Sequence, residues 1–195
     1  MGALGAIVVA GGESRRFGED KLALRHREGK TLLDLAVGGA AEHADLVIVV
    51  GPEREVEAEV LWIREDPPGG GPCAALAAGL TLLGDEFSHV AVLAGDAPGG
   101  GAAIPALRQV IDDAAAAVVV DAFGREQPLT AVYAVGLLRE TLAHHGDCRD
   151  LSMRSILDEL RPWTIVTIVD RWSAAVDIDT RHDAESLGFG RDSSA

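Results

Sequence analysis

The sequence predicts an α/β domain built on an open, mostly parallel sheet. Three short apolar runs carry this prediction, because continuous rather than alternating apolar residues are typical of strands buried on both faces. They are Ala6–Ala10, Leu46–Val50 and Val90–Ala94. Helix-like segments lie between them, and strand alternating with helix indicates βαβ units with right-handed crossovers. The 195 residues have the length of a single domain, 1–195, with a disordered tail expected at 191–195.

The other elements follow in chain order. In the first half, Thr31 and Asp34 form a pair resembling a capping box at the start of a helix. The predicted helices there are Thr31–Ala44, Glu53–Val60 and Pro72–Leu83, with a short strand at Leu61–Arg64. The helices predicted in the second half are Ile104–Ala114, Gly136–His144, Leu151–Leu160 and a last one from Thr180 and Asp183 to Leu187. The strands predicted there are Ala117–Val120, Thr130–Val135 and Thr164–Val169. This order predicts a single Rossmann-like sheet.

Positive charge is concentrated after the first strand. The chain has a net charge of -14 and 17 Lys+Arg residues. Both of its lysines and four arginines lie between Arg15 and Lys30. This local excess in an acidic chain favours an anionic ligand. The pI of about 4.7 argues against an extended nucleic-acid surface. Neither a signal segment nor a membrane-spanning apolar run is recognisable, so we expect a cytoplasmic protein that binds neither nucleic acid nor membrane.

The first strand runs into Ala10, Gly11 and Gly12, with Arg16 and Lys21 close behind. Glycines let backbone N–H groups approach an anion, and basic side chains then neutralise it. The spacing fits neither the dinucleotide fingerprint nor the P-loop. A simple tight strand exit would account for the glycines but not for Arg16 and Lys21. The loop therefore favours a phosphate-binding role.

Carboxylates and a second glycine-rich loop complete the candidate site. Asp96 ends a buried strand, where it is either a turn residue before proline or a Mg²⁺ ligand. Asp177 and Asp179 would point to one side of an extended segment, although Asp179 or Thr180 could instead cap a helix. Because ligands of open α/β sheets bind outside the carboxyl ends of the strands, we expect Gly11, Asp96 and the loop from Asp66 to Pro72 along one edge.

Five motifs in order resemble those of the molybdenum cofactor guanylyltransferases and their nucleotidyltransferase relatives. They are Ala10-Gly11-Gly12-x-Ser14-x-Arg16-Phe17-Gly18-x-Asp20-Lys21, Gly71-Pro72-Cys73-Ala74-Ala75, Leu93-Ala94-Gly95-Asp96-Ala97-Pro98, Gln127-Pro128-Leu129 and Asp177-Ile178-Asp179-Thr180-x-x-Asp183. The resemblance implies a fold like that of the nucleotide-diphospho-sugar transferases. It also implies an enzyme that transfers GMP from GTP to the terminal phosphate of a molybdopterin-type cofactor and releases pyrophosphate.

The resemblance also implies roles for individual residues. Arg16 and Lys21 would be the catalytic groups on the triphosphate. Asp96 would hold Mg²⁺, with Asp179 or Asp177 as the second ligand. The residues implied in nucleotide binding are Ala10, Gly11, Gly12, Lys21, Asp66, Gly71, Pro72 and Asp96.

The chain departs from the family pattern at Phe17, at Cys73 and at Gly99–Gly101, where three glycines suggest a flexible loop on the acceptor side. Two alternatives to GTP-dependent transfer stay open. The first is a cytidylyltransferase, or another NTP transferase with a different phosphorylated acceptor. The second is a nucleotide-binding module without catalysis. The sequence leaves the oligomeric state open.

Overall fold

A computed structural model of the chain describes residues 2–12, 17 and 20–190. The larger sheet contains β1 (Ala3–Val9), β3 (Leu46–Val50), β4 (Leu61–Ile63), β5 (Phe87–Ala94), β6 (Ala116–Val120), β7 (Glu126–Ala134) and β8 (Ile165–Val169). The short strands β2 (Arg25–His26) and β9 (Phe189–Gly190) form a small antiparallel sheet of their own. The helices are α1 (Leu32–Ala41), α2 (Pro72–Leu80), α3 (Ile104–Ile111), α4 (Val135–Ala143), α5 (Met153–Glu159) and α6 (Arg181–Ser186).

The larger sheet is open and mostly parallel, as the sequence predicts. Within the described residues its strand order is β4-β3-β1-β5-β7-β6-β8. β7 runs antiparallel to both of its neighbours, and the other pairings are parallel. The carboxyl ends of β1, β4 and β5 therefore share one edge, and the beginning of β7 lies at the same edge.

Helices cover both faces of the sheet. β1 buries Ala6 and Val8 in a cluster with residues of α1 and α3, and it buries Ile7 in a second cluster with residues of α2, α4 and α5. Both faces of β1 are thus covered, which explains why its sequence is continuously apolar. No helix in the described part of the chain is long and apolar enough to cross a membrane.

The start of α1 confirms the capping pair predicted from the sequence. The Thr31 hydroxyl accepts a hydrogen bond from the Asp34 backbone N–H over 3.0 Å, and Asp34 Oδ2 accepts one from the Thr31 N–H over 3.0 Å. These bonds satisfy two backbone donors that the first turn of a helix leaves unpaired.

The predicted helix Glu53–Val60 is wrong. The segment has no helix, and its exposure alternates from residue to residue. Val56, Ala58 and Val60 pack against the core on one side, while the glutamates between them face solvent. Exposure that alternates with a period of two is typical of an extended chain. The pattern of apolar residues therefore explains why this segment is not a helix.

The glycines Gly99–Gly101 lie in a packed turn rather than a free loop. A Cβ on Gly101 would stand 2.3 Å from the carbonyl carbon of Gly39 in α1, and one on Gly99 would stand 2.8 Å from the Ser173 carbonyl oxygen. These positions require glycine because other backbone segments approach closely. This finding corrects the interpretation of the three glycines as a flexible segment.

Candidate active site

A cleft of about 600 Å³ opens at the carboxyl edge of the sheet. It is lined by the ends of β1 and β5, by the loop after β4 and by Leu129 of β7. The predicted site residues that line it are Ala10, Gly11, Gly12, Lys21, Gly71, Pro72 and Asp96. Arg16, the other predicted catalytic residue, lies outside the described residues.

The loop after β1 starts from a fixed backbone position. The Ala10 N–H donates a hydrogen bond to the Val50 carbonyl oxygen over 2.8 Å, and the Gly95 N–H donates one to the Val9 carbonyl oxygen over 2.9 Å. Gly51 has a φ of +153°, and a Cβ there would stand 2.7 Å from the Ala10 carbonyl. Glycine at position 51 thus lets the chain after β1 pass closely over the end of β3.

Lys21 begins a 3-10 turn, Lys21–Ala23, that is anchored at two points. Leu22 is buried in the core, and Asp20 caps the turn by accepting a hydrogen bond from the Leu22 N–H over 3.2 Å. Arg54 in turn holds Asp20, donating from Nε to Oδ2 over 2.9 Å and from a second guanidinium nitrogen to Oδ1 over 3.2 Å. Sequence reasoning missed Arg54, because no local pattern relates it to a residue 34 positions earlier.

The Lys21 ammonium group lies among oxygens of two distant segments. It forms an ion pair with Asp96, donates to the Ile178 carbonyl oxygen over 3.0 Å, and lies 3.4 Å from Asp179 Oδ1. Burial lowers the pKa of Lys21, but the hydrogen bond to Asp96 and the charges of both carboxylates outweigh it and raise the pKa above its usual value. Lys21 therefore remains a cation at neutral pH.

The segment from Asp177 to Thr180 is docked directly on Asp96. The Ile178 N–H donates a hydrogen bond to the Asp96 carbonyl oxygen over 3.1 Å, and the Ile178 side chain is fully buried. Thr180 caps α6 in a capping box with Asp183. The capping role falls to Thr180, so the Asp179 carboxylate is available to contact Lys21.

Asp177 stands in a field of negative charge. Loss of surrounding water and repulsion by Asp96 and Asp179 raise the pKa of Asp177 to about 6, although Lys21 partly offsets them. The repulsion by Asp96 and Asp179 is the part of this pKa shift that a cation bound nearby would relieve. We call Lys21, Asp96, Asp177 and Asp179 the charged end of the cleft.

The donor set of the charged end fits Mg²⁺. Lys21 Nζ contacts both Asp96 and Asp179, so two carboxylates already share one cation position. Mg²⁺ prefers such hard oxygen ligands and commonly uses one or two carboxylates together with water and substrate phosphates. Among the residues that the structure describes, no three His, Cys, Asp or Glu side chains are arranged to hold a metal by themselves. A metal here would therefore need phosphate oxygens or water to complete its coordination.

The opposite end of the cleft is made mainly of glycines. Glu65, only 6% exposed, lines it, and Glu65 Oε1 accepts a hydrogen bond from the Gly69 N–H over 3.0 Å. Gly71 caps α2 with a φ of +90°, and Pro72 is the first residue of the helix. Together with Gly11, we call Glu65, Gly69, Gly71 and Pro72 the glycine end.

Asp66 is exposed and does not line the cleft, whereas its neighbour Glu65 is buried and does. The structure therefore places the predicted residue Asp66 next to a cleft-lining carboxylate, and its role in nucleotide binding stays a prediction. Glu65 is the second residue after the strand Leu61–Ile63, at the edge where ligands bind, and this position is the sequence signal that points to it.

Comparison with known proteins agrees with this architecture. Residues 6–163 match the family described as the MobA-like NTP transferase domain. A protein of Mycobacterium avium named "Probable molybdenum cofactor guanylyltransferase" is 33% identical, over 96% of each chain. The crystal structure of molybdopterin-guanine dinucleotide biosynthesis protein A from Archaeoglobus fulgidus superposes with a TM-score of 0.69 at 20% identity, covering 94% of this chain and 96% of that one.

A nucleotidyl transferase from Methanothermobacter thermautotroptrophicus superposes with a TM-score of 0.75 at 22% identity, covering 95% of this chain and 96% of that one. The mostly parallel sheet and the cleft at its carboxyl edge are those of an α/β nucleotidyltransferase. Within this class, the chain belongs to the family of MobA-like NTP transferases.

Proposed function

We propose that this enzyme transfers GMP from GTP to the terminal phosphate of a molybdopterin-type cofactor and releases pyrophosphate. The observation that carries the proposal is the charged end of the cleft, where Lys21 lies between Asp96 and Asp179. The Mycobacterium avium relative, aligned over 96% of the chain, carries the name of this activity. The cleft of about 600 Å³ has the size of a small-molecule site.

The proposed reaction is an in-line displacement at the α-phosphorus of GTP. An oxygen of the acceptor phosphate forms the new P–O bond, and the bond to the β-phosphate oxygen breaks, so that both electrons of that bond leave with pyrophosphate. Such a transfer depends mainly on positioning and on neutralising charge, and it requires no nucleophile from the protein.

The charged end supplies what this reaction needs. We propose that Lys21 turns from the carboxylates toward the triphosphate and stabilises the charge of the departing pyrophosphate, together with Arg16. Asp96, with Asp179 or Asp177, would hold Mg²⁺, which neutralises phosphate oxygens when bound. The Asp96 backbone also fixes the partner segment through the Ile178 N–H, so both carboxylates keep their spacing when Lys21 moves.

The remaining parts of the proposal concern the binding of the nucleoside, the extent of the domain and its location in the cell. Ala10, Gly11, Gly12, Gly71 and Pro72 surround the space for the nucleoside. Their backbone lets a planar base approach closely. We also propose that residues 1–195 act as one nucleotidyltransferase domain in the cytoplasm, where GTP is available.

A labelled transfer assay tests the proposal. The purified protein is incubated with Mg²⁺, a molybdopterin-type cofactor and GTP labelled at the α-phosphate, and we expect label in the acceptor with one pyrophosphate released per transfer. Transfer from CTP but not from GTP would replace this proposal with a cytidylyltransferase. Nucleotide binding without transfer from either would leave a binding module and overturn the proposed activity.

A further inference from the structure

The glycine end contains a buried carboxylate oxygen that no described residue hydrogen-bonds. Glu65 Oε2 is inaccessible to solvent and has no hydrogen-bond partner in the described part of the chain. The other oxygen, Oε1, accepts the Gly69 N–H over 3.0 Å and thereby fixes the side chain. A buried acceptor without a donor is destabilising, so a ligand that brings a donor to this carboxylate would gain free energy on binding.

The surroundings of Glu65 leave room for such a ligand. Glu65 lines the cleft together with Gly11, Gly69 and Pro72. A Cβ on Gly11 would stand 3.4 Å from Oε1 and 3.6 Å from Oε2, so glycine at this position keeps a side chain off that face of the carboxylate. The terminal torsion of glutamate is soft, and either oxygen can turn toward the cleft while the other keeps the Gly69 N–H.

We propose that Glu65 is the residue that selects guanine, by accepting hydrogen bonds from N1–H and from the 2-amino group of the base. The inference rests on the proposed function, because it assigns the base of the nucleotide to the glycine end and the triphosphate to the charged end. Each carboxylate oxygen can accept more than one hydrogen bond, so Glu65 can bind the base and retain Gly69.

The donor pattern of the bases explains the selectivity. Guanine presents two adjacent donors on one edge, and these match the two oxygens of a carboxylate. Cytosine and adenine each place an acceptor nitrogen beside their single amino group, and uracil has its N3–H between two carbonyl oxygens. In each of these bases an acceptor would face the carboxylate and repel it. Sites that leave a buried polar group unpaired discriminate strongly against the wrong ligand.

The test compares nucleotide affinities by calorimetry, without any acceptor. ITP is guanosine triphosphate without the 2-amino group, so wild-type protein should bind ITP roughly 10-fold more weakly than GTP, and CTP more weakly still. In Glu65→Gln, the amide can accept the Gly69 N–H but then turns its NH₂ toward the donors of guanine. We expect GTP affinity to fall by roughly 10- to 100-fold and the preference for GTP over ITP to disappear.

Two controls keep the result specific. Glu59→Gln makes the same change at an exposed position before β4 and should leave all affinities unchanged. The comparison of GTP and ITP with wild-type protein needs no variant. Equal affinities for the two nucleotides would therefore overturn the proposal even if Glu65→Gln failed to fold. An unchanged preference in a folded Glu65→Gln protein would also overturn it.

A competing assignment gives a different result. If Glu65 instead binds a ribose hydroxyl, Glu65→Gln should abolish the preference for GTP over 2′-deoxy-GTP and keep that over ITP, and this result would overturn the proposal. Failure of the proposed function is distinguishable from both. If wild-type protein prefers GTP over ITP, Glu65→Gln loses this preference, and wild-type protein transfers no GMP, this inference would be supported and the proposed guanylyltransferase activity would be contradicted.

Discussion

The two ends of the cleft are built on opposite principles. At the charged end, Lys21, Asp96 and Asp179 come from distant parts of the chain, and each charge contacts an opposite one. At the glycine end, most residues come from one short stretch of the chain, and the buried carboxyl group of Glu65 has an oxygen without a hydrogen-bond partner among the described residues. The charged end can therefore exchange partners when a ligand arrives, whereas the glycine end requires a donor from the ligand.

This difference separates two tasks that a nucleotidyltransferase has to perform. Charged side chains that can exchange ionic partners are suited to stabilising the charge that develops as the P–O bond breaks, because they are already oriented before the reaction. A fixed acceptor suits recognition, because it penalises any ligand that lacks the matching donor. The following predictions test whether the two ends can be disabled separately.

We expect the largest effect from Asp96→Asn. The variant keeps the shape of the side chain but removes the negative charge that Lys21 and a metal would share. Turnover should fall by roughly 100- to 1,000-fold, the range seen when one preorganised electrostatic group is lost. The Mg²⁺-dependent gain in GTP affinity should disappear. The measurement is transfer rate against Mg²⁺ concentration, with Asp113→Asn, an exposed aspartate outside the cleft, as the control. Identical Mg²⁺ titrations for Asp96→Asn and wild type would show that Asp96 does not bind the metal and is only a turn residue.

Lys21→Met should lower turnover by roughly 100-fold, because a cation that stabilises the leaving group is lost. The same variant should bind Mg²⁺ more tightly in the absence of nucleotide, since the carboxylates lose their internal cation. Lys30→Met is a matched control, because Lys30 is the other lysine of the chain and pairs with Glu57 over 3.2 Å, away from the cleft. Unchanged turnover in Lys21→Met would remove Lys21 from the reaction.

Arg54→Met should have a smaller effect. Arg54 holds Asp20, the cap of the turn that carries Lys21, and it also donates to the carbonyl oxygens of Ala10 and Pro52, so its effect on Lys21 is indirect. We expect a decrease in turnover of roughly 3- to 10-fold and a loss of stability of about 1 kcal/mol or less, since the pair is partly exposed. Because a purely structural role would affect stability alone, the kinetic decrease is the decisive readout. Arg149→Met, which removes a pair of 3.8 Å with Asp147, should change neither.

The smallest effect concerns Asp177 and pH. Its pKa of about 6 in the folded protein lies above the usual 3.8, so the folded state binds more protons than the unfolded state between these values. The carboxylate therefore destabilises the fold above pH 6, and this cost vanishes as the pH falls toward 4. In EDTA at pH 7, Asp177→Asn should raise the Tm by about 2 °C, because solvent screening keeps the effect near 1 kcal/mol. An equal gain at pH 4 would show that the ionised carboxylate of Asp177 is not the cause.

The sequence predicts the sheet and much of the site because both depend on local patterns. Continuous apolar runs identify β1, β3 and β5, and the pairs Thr31–Asp34 and Thr180–Asp183 identify helix starts through bonds between neighbours. The carboxyl-edge rule then brings Gly11 and Asp96 to one cleft, as the structure confirms.

The missed features depend on contacts between distant segments. Arg54 reaches Asp20 across 34 positions, and β2 pairs with β9 through only two residues each. The close approach of α1 to Gly101 is equally invisible in the sequence. Glu65 was missed for a different reason: its position after β4 points to the loop, but Asp66 stands beside it, and the burial that separates the two residues is not visible in the sequence.

The most direct test examines the charged end and the glycine end in the same set of measurements. GTP and ITP affinities are measured with and without Mg²⁺ for wild type, Asp96→Asn and Glu65→Gln. We predict that Asp96→Asn loses the Mg²⁺-dependent gain and keeps the preference for GTP, whereas Glu65→Gln loses the preference and keeps the gain. If either variant lost both properties while remaining folded, or if the two losses were exchanged, the division of the cleft into a charged end for phosphates and a glycine end for guanine would be contradicted.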